Sequence, residues 1–258
     1  MGDAFVRPGA GQRPLAAVSL KAYLGQQETL DWIAASVSAA GPHLGAVDLA
    51  LFPVATALAD GLRLASGTSI EFGAQDVSTE PSGAFTGEIV ASTLAELGAR
   101  YVELGHAERR RLFGDDDARI AAKAARAAEA GLTPFVCVGE IDAPAAAASA
   151  ARAAIDLCWA QLEASLALVA DGTPVVVAYE PVWAIGADEP APAAYVREVA
   201  AELKRRLAAS RPGSRLLYGG TAGPGVYTAL APAVDGLFLG RRAHDPAALA
   251  AVLAEMAG

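Results

Sequence analysis

Three side chains of complementary chemistry each stand just past a short apolar run: Lys21 after residues 16–20, His106 after 101–104 and Glu180 after 175–179. A carboxylate takes up a proton, an imidazole shuttles one, and an ammonium stabilises negative charge that forms between them. Glu180 is followed at once by Pro181-Val182-Trp183-Ala184-Ile185-Gly186, a loop of mostly small residues around a tryptophan. That order reads as a base beneath a lid. Singly, Lys21 also reads as a solvated lysine. His106, with Glu108 and Arg109-Arg110-Arg111 close behind it, also reads as part of a surface ion-pair cluster. Their shared position at strand ends is what joins them.

The elements that must hold these groups are short and regularly spaced. Residues 16–20, 47–52, 70–73, 101–104, 134–138, 175–179, 215–218 and 236–239 form eight apolar runs, each too short for a helix and most of them rich in Val, Leu or aromatics. Helical patterns fill the intervals at 28–39, 55–64, 93–97, 115–130, 145–169, 193–209 and 246–256. Ala-rich 145–169 needs no function, since Ala is the best helix former. Strand and helix alternating in this way predict an α/β fold, a single (β/α)8 barrel over residues 15–258, rather than an open doubly wound sheet. No G-x-G-x-x-G opens the first unit, which argues against a dinucleotide fold. Residues 1–14, rich in Gly, Pro and Arg without periodicity, read as a loose tail.

In a parallel barrel every strand points the same way, so residues just past the strands converge on one mouth. This rule adds Gln75 and Asp76 after the third run, residues 218–221 after the seventh, and Gly240-Arg241 after the eighth. Gly219-Gly220-Thr221 and Gly240-Arg241 fall where barrels hold a phosphate on backbone N–H groups and a short helix N-terminus. They also read as tight turns that need positive φ. Two such turns at the phosphate corner favour the first reading.

Composition bounds the rest. With 258 residues, 53% hydrophobic and 19% charged, the chain has a substantial core. A net charge of −9 without a basic stripe excludes nucleic acid as an expected partner. No run approaches the ~20 apolar residues of a membrane span. Cys137 and Cys158 make no disulfide framework and read as small buried hydrophobes, which predicts a reducing cytoplasm. Three histidines without ligand spacing predict no metal.

The segments Ala178-Tyr179-Glu180-Pro181-Val182-Trp183-Ala184-Ile185-Gly186, Leu104-Gly105-His106-Ala107-Glu108-Arg109-Arg110, Gly83-Ala84-Phe85-Thr86-Gly87-Glu88, Cys137-Val138-Gly139-Glu140 and Tyr218-Gly219-Gly220 resemble the triosephosphate isomerase family, in its order and spacing, from Ser19 to the C-terminus. The resemblance implies interconversion of dihydroxyacetone phosphate and D-glyceraldehyde 3-phosphate through an enediol or enediolate. Glu180 would be the base, His106 a neutral imidazole donor, Lys21 the positive charge and Glu108 a carboxylate near that lysine. Ser19, Gly186, Thr221, Gly240 and Arg241 would bind substrate or phosphate, Pro181 to Gly186 would be the lid, and no metal or organic cofactor is implied. Phe85, Thr86 and Gly87 resemble the loop that docks into a neighbouring subunit, which implies a homodimer with Thr86 supporting the partner's site.

The chain departs from the family at four places. Ser19 replaces an asparagine, and Ala107 replaces the serine that holds the glutamate in the open state. Ala187-Asp188-Glu189-Pro190 ends the lid where a Thr-Gly-Lys-like hinge is commoner, and Gly240-Arg241-Arg242 replaces a Gly-Gly pair beside the phosphate. Arg241 can lie across the phosphate or turn to solvent. This last change resembles the branch that isomerises four-carbon ketose phosphates in tetritol breakdown, so a tetrulose-phosphate isomerase is the alternative expectation. A barrel that binds sugar phosphates without turnover and a Schiff-base aldolase using Lys21 are two further ones.

Overall fold

Strands that are apolar on both faces must be covered on both, and here they close on themselves. The computed structural model describes residues 12–143, 149–187 and 190–258. Eight strands, β1 (Leu15–Ser19), β2 (Asp48–Phe52), β3 (Glu71–Ala74), β4 (Tyr101–Leu104), β5 (Thr133–Val138), β6 (Val176–Tyr179), β7 (Arg215–Tyr218) and β8 (Gly236–Leu239), form a closed barrel in sequence order. Every pairing is parallel, and β8 pairs with β1 to complete the ring. All eight expected strands are present, with ends within one residue of the reading from sequence.

The two faces of each strand have different company. Outward residues such as Val18, Leu51, Val102, Val136 and Leu216 pack beneath the helices in one cluster, while inward Ala17, Phe52, Tyr101, Phe135, Ala178 and Phe238 form a second cluster inside the barrel. Phe135 lies 4.8 Å from Phe238 and 5.1 Å from Phe52 between ring centroids, so the lower interior is filled with packed rings. Each such buried side chain contributes roughly 1.5–3 kcal/mol of transfer free energy. A filled floor leaves chemistry only at the mouth.

The helices are α1 (Gln26–Ala40), α2 (Leu58–Leu64), α3 (Ala91–Leu97), α4 (Ala107–Phe113), α5 (Asp117–Glu129), α6 (Ser149–Ser165), α7 (Ala193–Ser210), α8 (Val226–Leu230) and α9 (Pro246–Ala257). The 145–169 expectation is met by α6, which is shorter at its C-terminal end; residues 144–148 lie outside the described residues. The short helices α4 and α8 carry too few turns to show a period in the sequence. Residues 1–11 of the expected tail lie outside the described residues, whereas Arg13 pairs with Asp48 at 2.6 Å and the Pro14 carbonyl accepts the Asp48 N–H at 2.9 Å. No helix among the described residues is long and apolar enough to cross a membrane.

Candidate active site

Alternation along a strand carries every second residue into the barrel. Above Leu15 and Ala17 the inward face of β1 reaches Ser19; above Tyr101, Phe135 and Ala178 it reaches Glu103, Cys137 and Glu180. Over this layer opens a cavity of about 930 Å³, lined among others by Ser19, Lys21, His106, Glu180, Gly219 and Arg241. Such a volume falls within the range of small-molecule sites.

Glu180 is buried, and its Oε2 has no hydrogen-bond partner. Burial and the neighbouring Glu103 push its carboxyl up to about 8, against the pull of Lys21 and a hydrogen bond with Cys137. Two glycines make room for it. A Cβ on Gly139 would lie 1.8 Å from the Glu180 carbonyl oxygen, and one on Gly219 would lie 2.6 Å from Glu180 Cγ. A side chain at Gly139 would displace the Glu180 backbone, and one at Gly219 would displace its carboxylate.

His106 caps α4, its Nδ1 accepting the backbone N–H of Glu108 at 3.2 Å. An acceptor cannot carry the proton, so the proton sits on Nε2, 3.7 Å from Glu180 Oε2. Burial and then Lys21 lower the imidazole to about 4, with Glu108 opposing. His106 is therefore neutral at ordinary pH.

Lys21 has φ 51°, a left-handed conformation for a non-glycine residue. Gln75 helps to hold it there, donating from Nε2 to the Lys21 and Phe52 carbonyls at 3.0 and 2.9 Å. The Lys21 ammonium meets Glu108 Oε1 at 2.7 Å. Partial burial would raise the Glu108 carboxyl, yet the hydrogen bond and charge of Lys21 bring it below its usual value. Lys21 and His106 thus flank the same carboxylate, His106 Nδ1 lying 3.8 Å from Glu108 Oε2.

The segment expected to be the lid follows β6 directly, with a turn of 3-10 helix at Val182–Ala184. Trp183 Nε1 donates to Glu140 at 2.9 Å, and Thr221 Oγ1 donates to the Ala184 carbonyl at 2.8 Å. Gly186 has φ 72°, and a Cβ there would sit 3.3 Å from an Arg241 guanidinium nitrogen. The same guanidinium carbon lies 6.0 Å above the Tyr23 ring. Arg241 accordingly stretches along the cavity rim between Tyr23 and the lid. Asp188 and Glu189, at the lid's C-terminal end, lie outside the described residues.

A closed parallel barrel with a carboxylate, an imidazole and an ammonium around one cavity invites comparison with known proteins. The family model for triosephosphate isomerase matches residues 14–256. The chain belongs to the triosephosphate isomerase family. It is 47% identical over 248 residues to the L-erythrulose-1-phosphate isomerase of Pectobacterium atrosepticum, covering 92% of this chain and 93% of that protein. Identity to the triosephosphate isomerase of Leifsonia xyli subsp. xyli is 42% over 225 residues, 83% of this chain and 85% of the other. The crystal structure of triosephosphate isomerase from Bartonella henselae superposes with a TM-score of 0.79 at 28% identity, covering 95% of this chain and 99% of that one. Named relatives and family model alike make this chain an isomerase.

Within this family member the residues expected at the site, Ser19, Lys21, His106, Glu108, Glu180, Gly186, Thr221, Gly240 and Arg241, all line the one cavity. Thr221 uses its hydroxyl on the carbonyls of Ala184 and Ala187, so its side chain ties down the segment after β6. Phe85, Thr86 and Gly87 stand apart, in the exposed stretch 81–89. Two residues received no role from sequence. Glu140, the last residue of Cys137-Val138-Gly139-Glu140, gathers Tyr179, Trp183 and Tyr195. Glu103 is an acid inside an apolar strand, two residues above inward Tyr101, and that mismatch was the available signal.

Proposed function

We propose that this isomerase moves a proton between adjacent carbons of a small sugar phosphate, with Glu180 as base, His106 as neutral donor to oxygen and Lys21 as fixed positive charge. The reading is carried by the 3.7 Å separation of His106 Nε2 and Glu180 Oε2 at the wall of a cavity that also takes in Lys21. A carbon and the oxygen next to it can be reached from there together. Glu180 takes the proton from the carbon beside the carbonyl, and the C–H electron pair becomes the C=C of an enediolate. The carbonyl oxygen takes the Nε2 proton of His106, which recovers one from the neighbouring hydroxyl, and return of the first proton to the former carbonyl carbon moves the carbonyl one place along. No oxidant or reductant is needed.

The phosphate is held by backbone N–H groups of Gly186, Gly220 and Gly240-Arg241, with Arg241 supplying charge at the rim. An enediolate beside a phosphate ester eliminates phosphate when water has access, so lid residues Val182, Trp183 and Ile185 serve to exclude it. Glu108 orients Lys21.

Dihydroxyacetone phosphate and a tetrulose 1-phosphate differ by one hydroxymethyl group, carried on the carbon that loses the proton. The triose reaction is supported by the family model and by relatives of that name. A specific observation favours the four-carbon ketose as preferred substrate: 47% identity over 92% of the chain to an L-erythrulose-1-phosphate isomerase, against 42% over 83% to a triosephosphate isomerase. Purified protein should turn over both substrates, with kcat/KM at least about tenfold higher for L-erythrulose 1-phosphate, a difference of ~1.4 kcal/mol. The opposite ratio would assign the triose, and loss of neither activity in Glu180→Gln would move the base elsewhere.

The active form is a homodimer in the cytoplasm. Phe85 and Ile89, each 38% exposed, and Phe113, 64% exposed, offer apolar surface to a second copy, with Thr86 reaching the partner's site. Two free, buried thiols, Cys137 and Cys158, suit a reducing compartment. Sedimentation of the wild type and of Phe85→Glu tests the assembly; a monomeric, fully active wild type would refute it.

A further inference from the structure

The Ser19 hydroxyl lies 2.8 Å from Glu103 Oε2, and both residues are buried. β1 and β4 are not neighbours in the ring, so their side chains meet only across the barrel lumen. Glu103 stands behind Ser19, which lines the cavity. A buried carboxyl group is costly to keep where an aliphatic residue would pack, which asks what the acid is for. Its surroundings are polar and crowded: Lys21 after β1, Asp76 after β3, Glu108 on α4, Glu180 after β6, and the Cys137 thiol on β5.

Position around the ring gives the answer its direction. In a closed ring of eight strands in sequence order, β4 stands opposite β8, where Gly240 and Arg241 begin. A substrate whose phosphate lies at the β7–β8 corner therefore points its other end at the β4 wall. In a tetrulose 1-phosphate that end bears the hydroxymethyl group that a triose lacks.

We propose that Glu103 is a positioning residue which, by fixing the Ser19 hydroxyl, makes the β4 side of the cavity a subsite for the terminal hydroxymethyl group and so sets the preference for a four-carbon over a three-carbon sugar phosphate. This rests on the isomerase reading given above. When Glu103 is protonated it donates to Ser19, whose own O–H is then free to point into the cavity. When it is ionised, Ser19 donates to it and turns lone pairs to the substrate. Burial lifts the Glu103 carboxyl to about 7, against its hydrogen bond with Ser19 and the charge of Lys21, so both forms exist near neutral pH. In either form the Ser19 oxygen is held in place, and a fixed polar partner discriminates for or against a hydroxyl far better than an apolar wall.

The test is the ratio of kcat/KM for L-erythrulose 1-phosphate to that for glyceraldehyde 3-phosphate, measured on full-length wild type, Glu103→Leu, Glu103→Gln, Ser19→Ala and the Ser19→Ala/Glu103→Leu double variant. Glu103→Leu should lower the ratio about tenfold, chiefly through KM for the four-carbon sugar. Glu103→Gln, which keeps shape and hydrogen bonding, should recover most of it. Ser19→Ala should lower the ratio as Glu103→Leu does, and the double variant no further, the sign of two residues acting as one. Equal losses on both substrates, or an unchanged ratio, would overturn the inference while leaving the isomerase reading intact. Should Glu103→Leu not fold, the Ser19 and Glu103→Gln variants decide by the same ratio. A wild type inactive on both sugars would instead remove the isomerase reading, and this inference with it.

Discussion

Glu140 accepts the indole N–H of Trp183 at 2.9 Å, which ties the turn after β5 to the lid after β6. Its same oxygen also receives the hydroxyls of Tyr195 at 2.9 Å and Tyr179 at 3.2 Å. Glu140→Leu would strand three donors at once, at ~1–3 kcal/mol for each one that stays dry. Thermal unfolding should show a fall of several degrees, and Trp183→Phe a smaller one. Equal melting temperatures for all three proteins would mean that water replaces these bonds without cost.

Glu180 is the sole carboxylate given the base role, so Glu180→Gln should reduce kcat by at least about 10²–10⁴-fold, the range of general-base contributions. The group must be ionised to act. With its carboxyl at about 8, kcat/KM should climb with pH along a limb well above the ordinary carboxylate range. A pH–rate profile flat above pH 5 would contradict this.

His106 should stay neutral over the whole working range. Its Nδ1 is occupied by the Glu108 N–H, and burial with Lys21 lowers it to about 4. Nitrogen-15 chemical shifts followed by NMR should report one tautomer, protonated on Nε2, and no titration above about pH 5. A midpoint near the usual 6.5 would remove the neutral-imidazole assignment.

Stability should carry the mark of the buried acids. Glu103 and Glu180 bind protons more tightly folded, at about 7 and 8, than at the ordinary value of 4.5. Their stabilising contribution is complete below pH 4.5 and is lost as pH rises through 7 to 8. His106 works in the opposite sense below 6.5, where the unfolded chain takes up the proton first. Between pH 6.5 and 8 the urea midpoint should therefore decline, and Glu103→Gln should flatten the decline. A midpoint that rises across that window would sink the account.

Gly219→Ala isolates a packing effect. Its Cβ would press on Glu180 Cγ, 2.6 Å away, so the carboxylate must move although no chemical group is lost. Misplacement on this scale costs about a hundredfold in rate. Steady-state kinetics should show kcat falling while a phosphate competitor still binds.

The amino-acid sequence by itself determined the eight strands, their parallel closure and the positions of Lys21, His106 and Glu180, because a run that is apolar on both faces can only be buried and a charge at its end can only lie at the mouth. It also held the glycines that follow β7 and β8 and the tryptophan segment that follows β6, whose motifs are local. Tertiary structure decided what depends on distance across the lumen. Ser19 and Glu103 are 84 residues apart and meet only because β1 and β4, which are not neighbours, both turn these side chains into the lumen of the closed ring. Thr221 bonds to the lid, and Arg241 runs toward Gly186 along the rim, through contacts that no spacing in the chain encodes. The proton on His106 Nε2 follows from one backbone N–H aimed at Nδ1. Periodicity reports which face of an element is buried; which buried groups touch is fixed only when the elements close around them.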